Sequence, residues 1–271
     1  GLCMQEPQYR SPGVRELLDA IGKSRVPCMS IMNMPPLAYI KRIPGLDYKA
    51  LEAAYTDPRV WDSCDPKKIT LNSPDPQAIR PPDGKANELL VTLPTNFKCA
   101  RFEDDKSTQI LRNLQNDVEA ARFDTPEGRI ELPVKLKIYD SIFVPLAKWA
   151  MLLAGNYRCV TKDGMRTAQE AVWSDVETSR SVYNFVFDLC VKLGAKPDDL
   201  VPFEKYAAAA QSLTRPASAA RALQNGAPFI ERADKLVQLI ARQKGMSNAA
   251  IDAQVALVDS RLDANRRKAA A

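Results

Sequence analysis

The chain changes texture once, near residue 131, and that change limits it to two units of different class. Before it stand most of the prolines and several apolar runs of strand length, among them residues 26–32 and 88–93. Between the runs, residues 11–21 and 106–116 have helical spacing, with Ser11 or Ser107 able to cap the free amides of a first turn. This alternation predicts an α/β unit over residues 1–131. The Pro-, Asp- and Ser-rich stretch 57–84 reads as a long loop excursion or a pair of poorly formed strands.

From about residue 133 the apolar period becomes helical and stays so. Helices are expected over 139–156, 167–193, 218–243 and 248–264. The second carries Val172, Val176, Tyr183, Val186, Phe187 and Cys190 on its apolar face and stops at Gly194, where a left-handed backbone is easiest. Gly226-Ala-Pro228 breaks or kinks the third, and residues 266–271 read as a frayed tail. Residues 132–271 are therefore expected to form an all-α unit.

Composition narrows the chemistry. With 271 residues, 45% of them hydrophobic and 26% charged, the chain has room for a full core. No run approaches the roughly 20 apolar residues that span a bilayer, and the N-terminus lacks a basic-then-apolar leader, so a cytoplasmic protein with no membrane contact is expected. The six cysteines are scattered, which predicts reduced thiols and no metal knuckle. There is no histidine, so Ser-His and Cys-His catalysis and histidine metal sites are excluded within this chain. A proton must come from Lys, Glu, Asp, Tyr, Cys or water. The net charge of +5 arises in the C-terminal half, among interspersed acids, and favours a small anionic partner over nucleic acid.

Lys148, Leu152 and Asn156 carry the sharpest chemical signal. Spacings of four and eight residues drift only about 40° and 80° around a helix, so an ammonium and an amide can face one cleft, where they could hold and protonate a keto acid. Read from the residues alone, each candidate also has a plain structural role. Lys148 could be a solvated surface lysine, Asn156 a helix stop, Ser218 a cap, and Asn33 a cap on the following Met-Pro-Pro turn. Glu231 could pair with Lys235 one turn on.

The order Lys148…Asn156, then Thr214-Arg-Pro-Ala-Ser-Ala-Ala-Arg221, then Gly226-Ala-Pro-Phe-Ile-Glu-Arg-Ala-Asp234 resembles the ketopantoate reductase (2-dehydropantoate 2-reductase) family. Asn33, after the run 29–32, similarly resembles the asparagine that ends a Rossmann strand in these enzymes. The resemblance implies an incomplete Rossmann-like nucleotide-binding part followed by an all-α domain like the C-terminal domain of 6-phosphogluconate dehydrogenase. It further implies reduction of a 2-keto acid such as ketopantoate, with NADPH the expected cofactor ahead of NADH, and a homodimer paired through the helical half. Lys148 would polarise the ketone and supply the proton, and Glu231 would orient Lys148 or a substrate hydroxyl. Asn156, Ser218 and Arg221 would bind the substrate, and Asn33 the cofactor.

Three departures accompany the resemblance. Leu152 stands where the family usually has a further asparagine. The Ser218-to-Glu231 interval is slightly long, with one extra residue between Glu231 and Asp234. No Gly-x-Gly-x-x-Gly occurs, so the phosphate-binding turn and the first strands are expected to lie outside this numbering. A dehydrogenase for a different keto acid or an opine is one alternative. A non-catalytic helical dimerisation module without cofactor binding is the other.

Overall fold

In the computed structural model, residues 1–73, 78, 79, 81, 83–85, 87, 88, 90, 91, 95–132 and 134–270 are described. The strands are β1 (Cys28–Ile31), β2 (Ile69–Ser73), β3 (Ala78–Ile79), β4 (Leu90–Val91), β5 (Thr95–Ala100), β6 (Arg122–Thr125), β7 (Gly128–Glu131) and β8 (Val134–Tyr139). Four of them make a mixed sheet in the order β1-β2-β5-β8, with β1 parallel to β2, β2 antiparallel to β5, and β5 parallel to β8. At the open edge Leu2 bridges to Ser30, giving Met29 O a donor and taking one from Ile31 N–H, both at 2.8 Å. β3–β4 and β6–β7 are separate antiparallel pairs.

The first helices are α1 (Pro12–Ser24), the single turns α2 (Leu37–Ile40) and α3 (Tyr48–Leu51), and α4 (Asp105–Ala120). They are followed by α5 (Lys148–Met151), α6 (Ala168–Trp173), α7 (Val176–Leu193), α8 (Phe203–Ala210), α9 (Ser218–Gln224), α10 (Ala233–Gln243) and α11 (Ala249–Ala270). An α/β part followed by a helical part is thus the observed architecture.

Both faces of the sheet are covered. Cys99, Phe102, Leu136 and Ile138 pack with Leu111 of α4 on one side. On the other, Ile69 and Leu71 join Tyr9, Leu18 and Trp61 in a core that continues through Trp149, Val186 and Leu236 of the helical part. Burial on both faces explains why the stretch holding β2 reads as a loop excursion or poorly formed strands: Ile69, Thr70, Leu71 and Asn72 are all at or below 1% exposed, so no alternation marks the strand.

Several expectations are corrected. Residues 134–139 form a strand, not the beginning of the helical run, and the sheet extends past the change of texture at 131. Within 88–93 the described strand is Leu90–Val91, while 89, 92 and 93 lie outside the described residues. Asp104, rather than Ser107, caps α4, accepting from Ser107 N–H at 2.8 Å. The 167–193 helix divides because Asp175 caps a new one, accepting from Thr178 N–H at 3.0 Å. The break expected at Gly226-Ala-Pro228 is present, separating α9 from α10, with Gly226 at φ 85°. The predicted tail is helical to Ala270: the buried Asn265 donates to Leu223 O and Ala227 O at 2.9 and 3.0 Å, and Arg266 donates to Pro228 O at 3.2 Å. The stop at Gly194 agrees with its left-handed φ of 116°.

Candidate active site

Two of the sequence-predicted residues, far apart in the chain, meet just beyond the end of β1. Met32 N–H still pairs with Asn72 O at 3.3 Å, and the chain then leaves the sheet through Asn33 toward two prolines. Asn33 Nδ2 donates to Glu231 Oε2 at 3.4 Å, and Asn33 Oδ1 is buried without a partner. Asn33 does not cap α2, whose N-cap is Pro36.

Glu231 is 8% exposed and lies in the irregular segment before α10. Its carboxyl accepts from the backbone N–H of Glu6 at 3.3 Å, while its own carbonyl accepts from Tyr157 Oη–H at 2.6 Å. The same Tyr157 oxygen accepts from Ala233 N–H at 2.9 Å, tying the segment to the helical core. Burial pushes the Glu231 carboxyl up to about 7, against which its hydrogen bonds from Glu6 and Asn33 act only partly. Glu231 does not pair with Lys235. Lys235 Nζ instead reaches Asp259 Oδ2 at 3.3 Å, and Asp259 also takes Arg232. Arg232 in turn grips Asp234 with a fork at 2.9 and 3.0 Å. That network fixes the residues following Glu231 against α11.

Lys148 is half-buried at the start of α5, after the 3₁₀ turn Pro145–Ala147, and α5 packs against α10, the helix that Glu231 precedes. The predicted single helix over 139–156 is composite. Tyr139 ends β8, α5 gives way to a π-turn over Leu152–Asn156, and a 3₁₀ turn Tyr157–Cys159 follows. Asn156, half-buried, closes the widened turn. Leu152, between Lys148 and Asn156, is buried. Gly155-Asn156 does not stop the helix; Asn156 keeps helical angles of φ −60°, ψ −47°. Gly155 is required sterically, because a Cβ there would lie 1.9 Å from Tyr206 Oη, which donates to Met151 O at 3.2 Å.

Ser218 and Arg221 are exposed on α9. Ser218 is the first helical residue behind an Ala217 N-cap, and Arg221 donates back to Pro216 O at 3.1 Å. α9 packs on the π-turn and on the 3₁₀ turn after it. Sequence reasoning missed Glu6, Thr56 and Tyr157. Glu6 is 2% exposed, and its carboxylate accepts from Thr56 N–H and Thr56 Oγ1–H, both at 2.8 Å. No local pattern marks Glu6, since its burial depends on a contact 50 residues away. Among the described residues, no cluster of three or more acids and cysteines is placed to hold a metal ion, and no helix is long and apolar enough to cross a membrane.

The chain has the fold of the ketopantoate reductases and related dehydrogenases. A ketopantoate reductase of the PanE/ApbA family from Ralstonia eutropha superposes with a TM-score of 0.59 at 12% identity, over 97% of this chain and 75% of that one. A D-mandelate dehydrogenase in ternary complex with NADH and anilino(oxo)acetate superposes with a TM-score of 0.60 at 12% identity, over 93% of this chain and 74% of the other. No protein-family model and no curated protein sequence matches the chain.

Proposed function

We propose that this protein is a nicotinamide-dependent reductase of a 2-keto acid, with NADPH preferred to NADH. The observation that carries the reading is the meeting of Asn33 and Glu231 beyond the end of β1, on a fold shared with ketopantoate reductases. In open α/β sheets, ligands gather outside the carboxyl ends of strands. Asn33 Oδ1, a buried acceptor lacking a donor, fits a carboxamide such as that of nicotinamide. Bound there, reduced nicotinamide would supply the hydride.

The chain's own residues would do the rest. Lys148 would polarise the ketone oxygen and deliver its proton, with Glu231 orienting the group that does so. Asn156 would hydrogen-bond the substrate. Ser218 and Arg221 would take its carboxylate, the guanidinium pairing both oxygens. The substrate would be a branched or hydroxylated keto acid of the ketopantoate kind, and pairing through the helical half would give a homodimer in the cytoplasm.

The test is oxidation of NADPH and NADH by the full-length protein across a panel of 2-keto acids. Turnover of at least one member, with NADPH the better cofactor, is expected. Absence of turnover with every pair, or turnover of other carbonyls only, would remove the reading.

A further inference from the structure

The outer face of α4 is its own complement. The helix packs on β8 and buries Ser107, Thr108 and Leu111. Spacings of four, eight and eleven residues drift only about 40°, 80° and 20° around a helix, so Lys106, Ile110, Leu114 and Asp117 form one stripe. All four are exposed, Ile110 at 56% and Leu114 at 43%, which leaves two aliphatic side chains one turn apart in water. An ammonium flanks them on the N-terminal side and a carboxylate on the C-terminal side.

Those two end charges are uncommitted. Neighbouring charges are taken up within the chain: Arg101 binds Asp105, Lys68 reaches Asp104 at 3.0 Å, and Arg112 reaches Asp140 at 2.8 Å. Among the described residues, neither Lys106 nor Asp117 makes an ion pair. The helix that carries them is held at both ends. Asp104 caps its N-terminus, and Arg122 Nη1 donates to the carbonyls of Glu119, Ala120 and Ala121 at 2.9, 3.1 and 2.9 Å. A stripe on so firmly placed a helix docks without the cost of ordering it.

Symmetry decides what fits. Positions 106 and 117 have their midpoint at 111.5, and positions 110 and 114 at 112, so the charged pair and the apolar pair share one centre. A two-fold axis through that centre lays a second α4 antiparallel on the first. Each Ile110 then meets a Leu114 and each Lys106 an Asp117, so every contact occurs twice, as an isologous interface requires. Parallel alignment in register would instead set like charges face to face.

We propose that α4 is a self-association surface, the occupant of its exposed stripe being the α4 of a second copy in antiparallel register. The aliphatic side chains at its centre are few beside the roughly 20–30 residues a side of a standard interface, so the association is reversible and concentration-dependent. It belongs to the α/β part, is distinct from pairing through the helical half, and does not rest on the reductase reading.

The experiment is sedimentation equilibrium of the full-length protein from low to high micromolar concentration. The wild type should associate reversibly, from dimer to tetramer where the helical half also pairs. Lys106→Glu and Asp117→Lys should each raise the dissociation constant of this step about tenfold or more, since each sets two like-charge contacts in the interface. Both reversals suit the helix dipole, so neither weakens association by unfolding α4. Combining them in one chain should restore the wild-type constant. An equimolar mixture of the two single variants should associate as tightly as wild type, because both of its charge contacts are again of opposite sign. Ile110→Ser with Leu114→Ser should abolish the step while leaving the thermal midpoint of the exposed-face variant near that of the wild type. Association absent from the wild type, indifferent to these substitutions, or not recovered on mixing the single variants would overturn the proposal.

Discussion

Burial lifts the Glu231 carboxyl from an ordinary value of 4.5 to about 7, and this makes folding proton-linked. Between those two pH values the folded protein holds a proton that the unfolded chain has released, so stability falls as pH rises. The contribution is complete below about 4.5, is lost as pH rises through about 7, and amounts to roughly 3 kcal/mol. Glu231→Gln should flatten this slope, so urea unfolding at pH 5 and pH 8 should differ less than in the wild type; an unchanged slope would contradict it. Arg232 offers a second check. Arg232→Ala leaves Asp234, 1% exposed, without its partner and should cost about 3 kcal/mol in urea unfolding. Asn33 and Glu231 were legible in the sequence through their place in a family-like order. Glu6 was not, because nothing near it in sequence announces that Thr56 and Glu231 will enclose it.

Among the elements, legibility followed the strength of the period. The long amphipathic runs of α4 and α7 show in the sequence, whereas β2 is hidden by being buried on both faces. The composite helix around Lys148 was legible as a helical segment but not as a shape. Its π-turn depends on Gly155 accepting close approach by Tyr206, a residue that looks like simple packing when read alone. Gly155→Ala should therefore destabilise the protein by about 1–3 kcal/mol, read as a lower thermal midpoint. Adding Tyr206→Phe removes the oxygen 1.9 Å from the new methyl and should recover part of that loss. A double variant no better than Gly155→Ala would show that this contact does not hold the turn. Caps also decided boundaries: Asp175 starts α7 where the apolar period alone runs straight through.

One apolar core runs from the sheet into the helical part. The N-terminal segment contributes by pairing Leu2 against β1 and then turning Glu6 under Glu231. The later chain contributes α5 and the segment before α10, which the Arg232–Asp234–Asp259 network fixes. Glu6, Asn33 and Glu231, from three distant stretches, thus meet in one place, which the family-like order of the sequence foreshadowed only in part. The account stands or falls on Lys148 as the proton-delivering group of a keto-acid reductase. The most direct measurement is kcat/KM for the best 2-keto acid in full-length wild type and Lys148→Ala, with matched thermal midpoints establishing that both are folded. The account predicts a loss of 10²-fold or more, about the contribution of a positioned general acid; equal rates in the two proteins would contradict it.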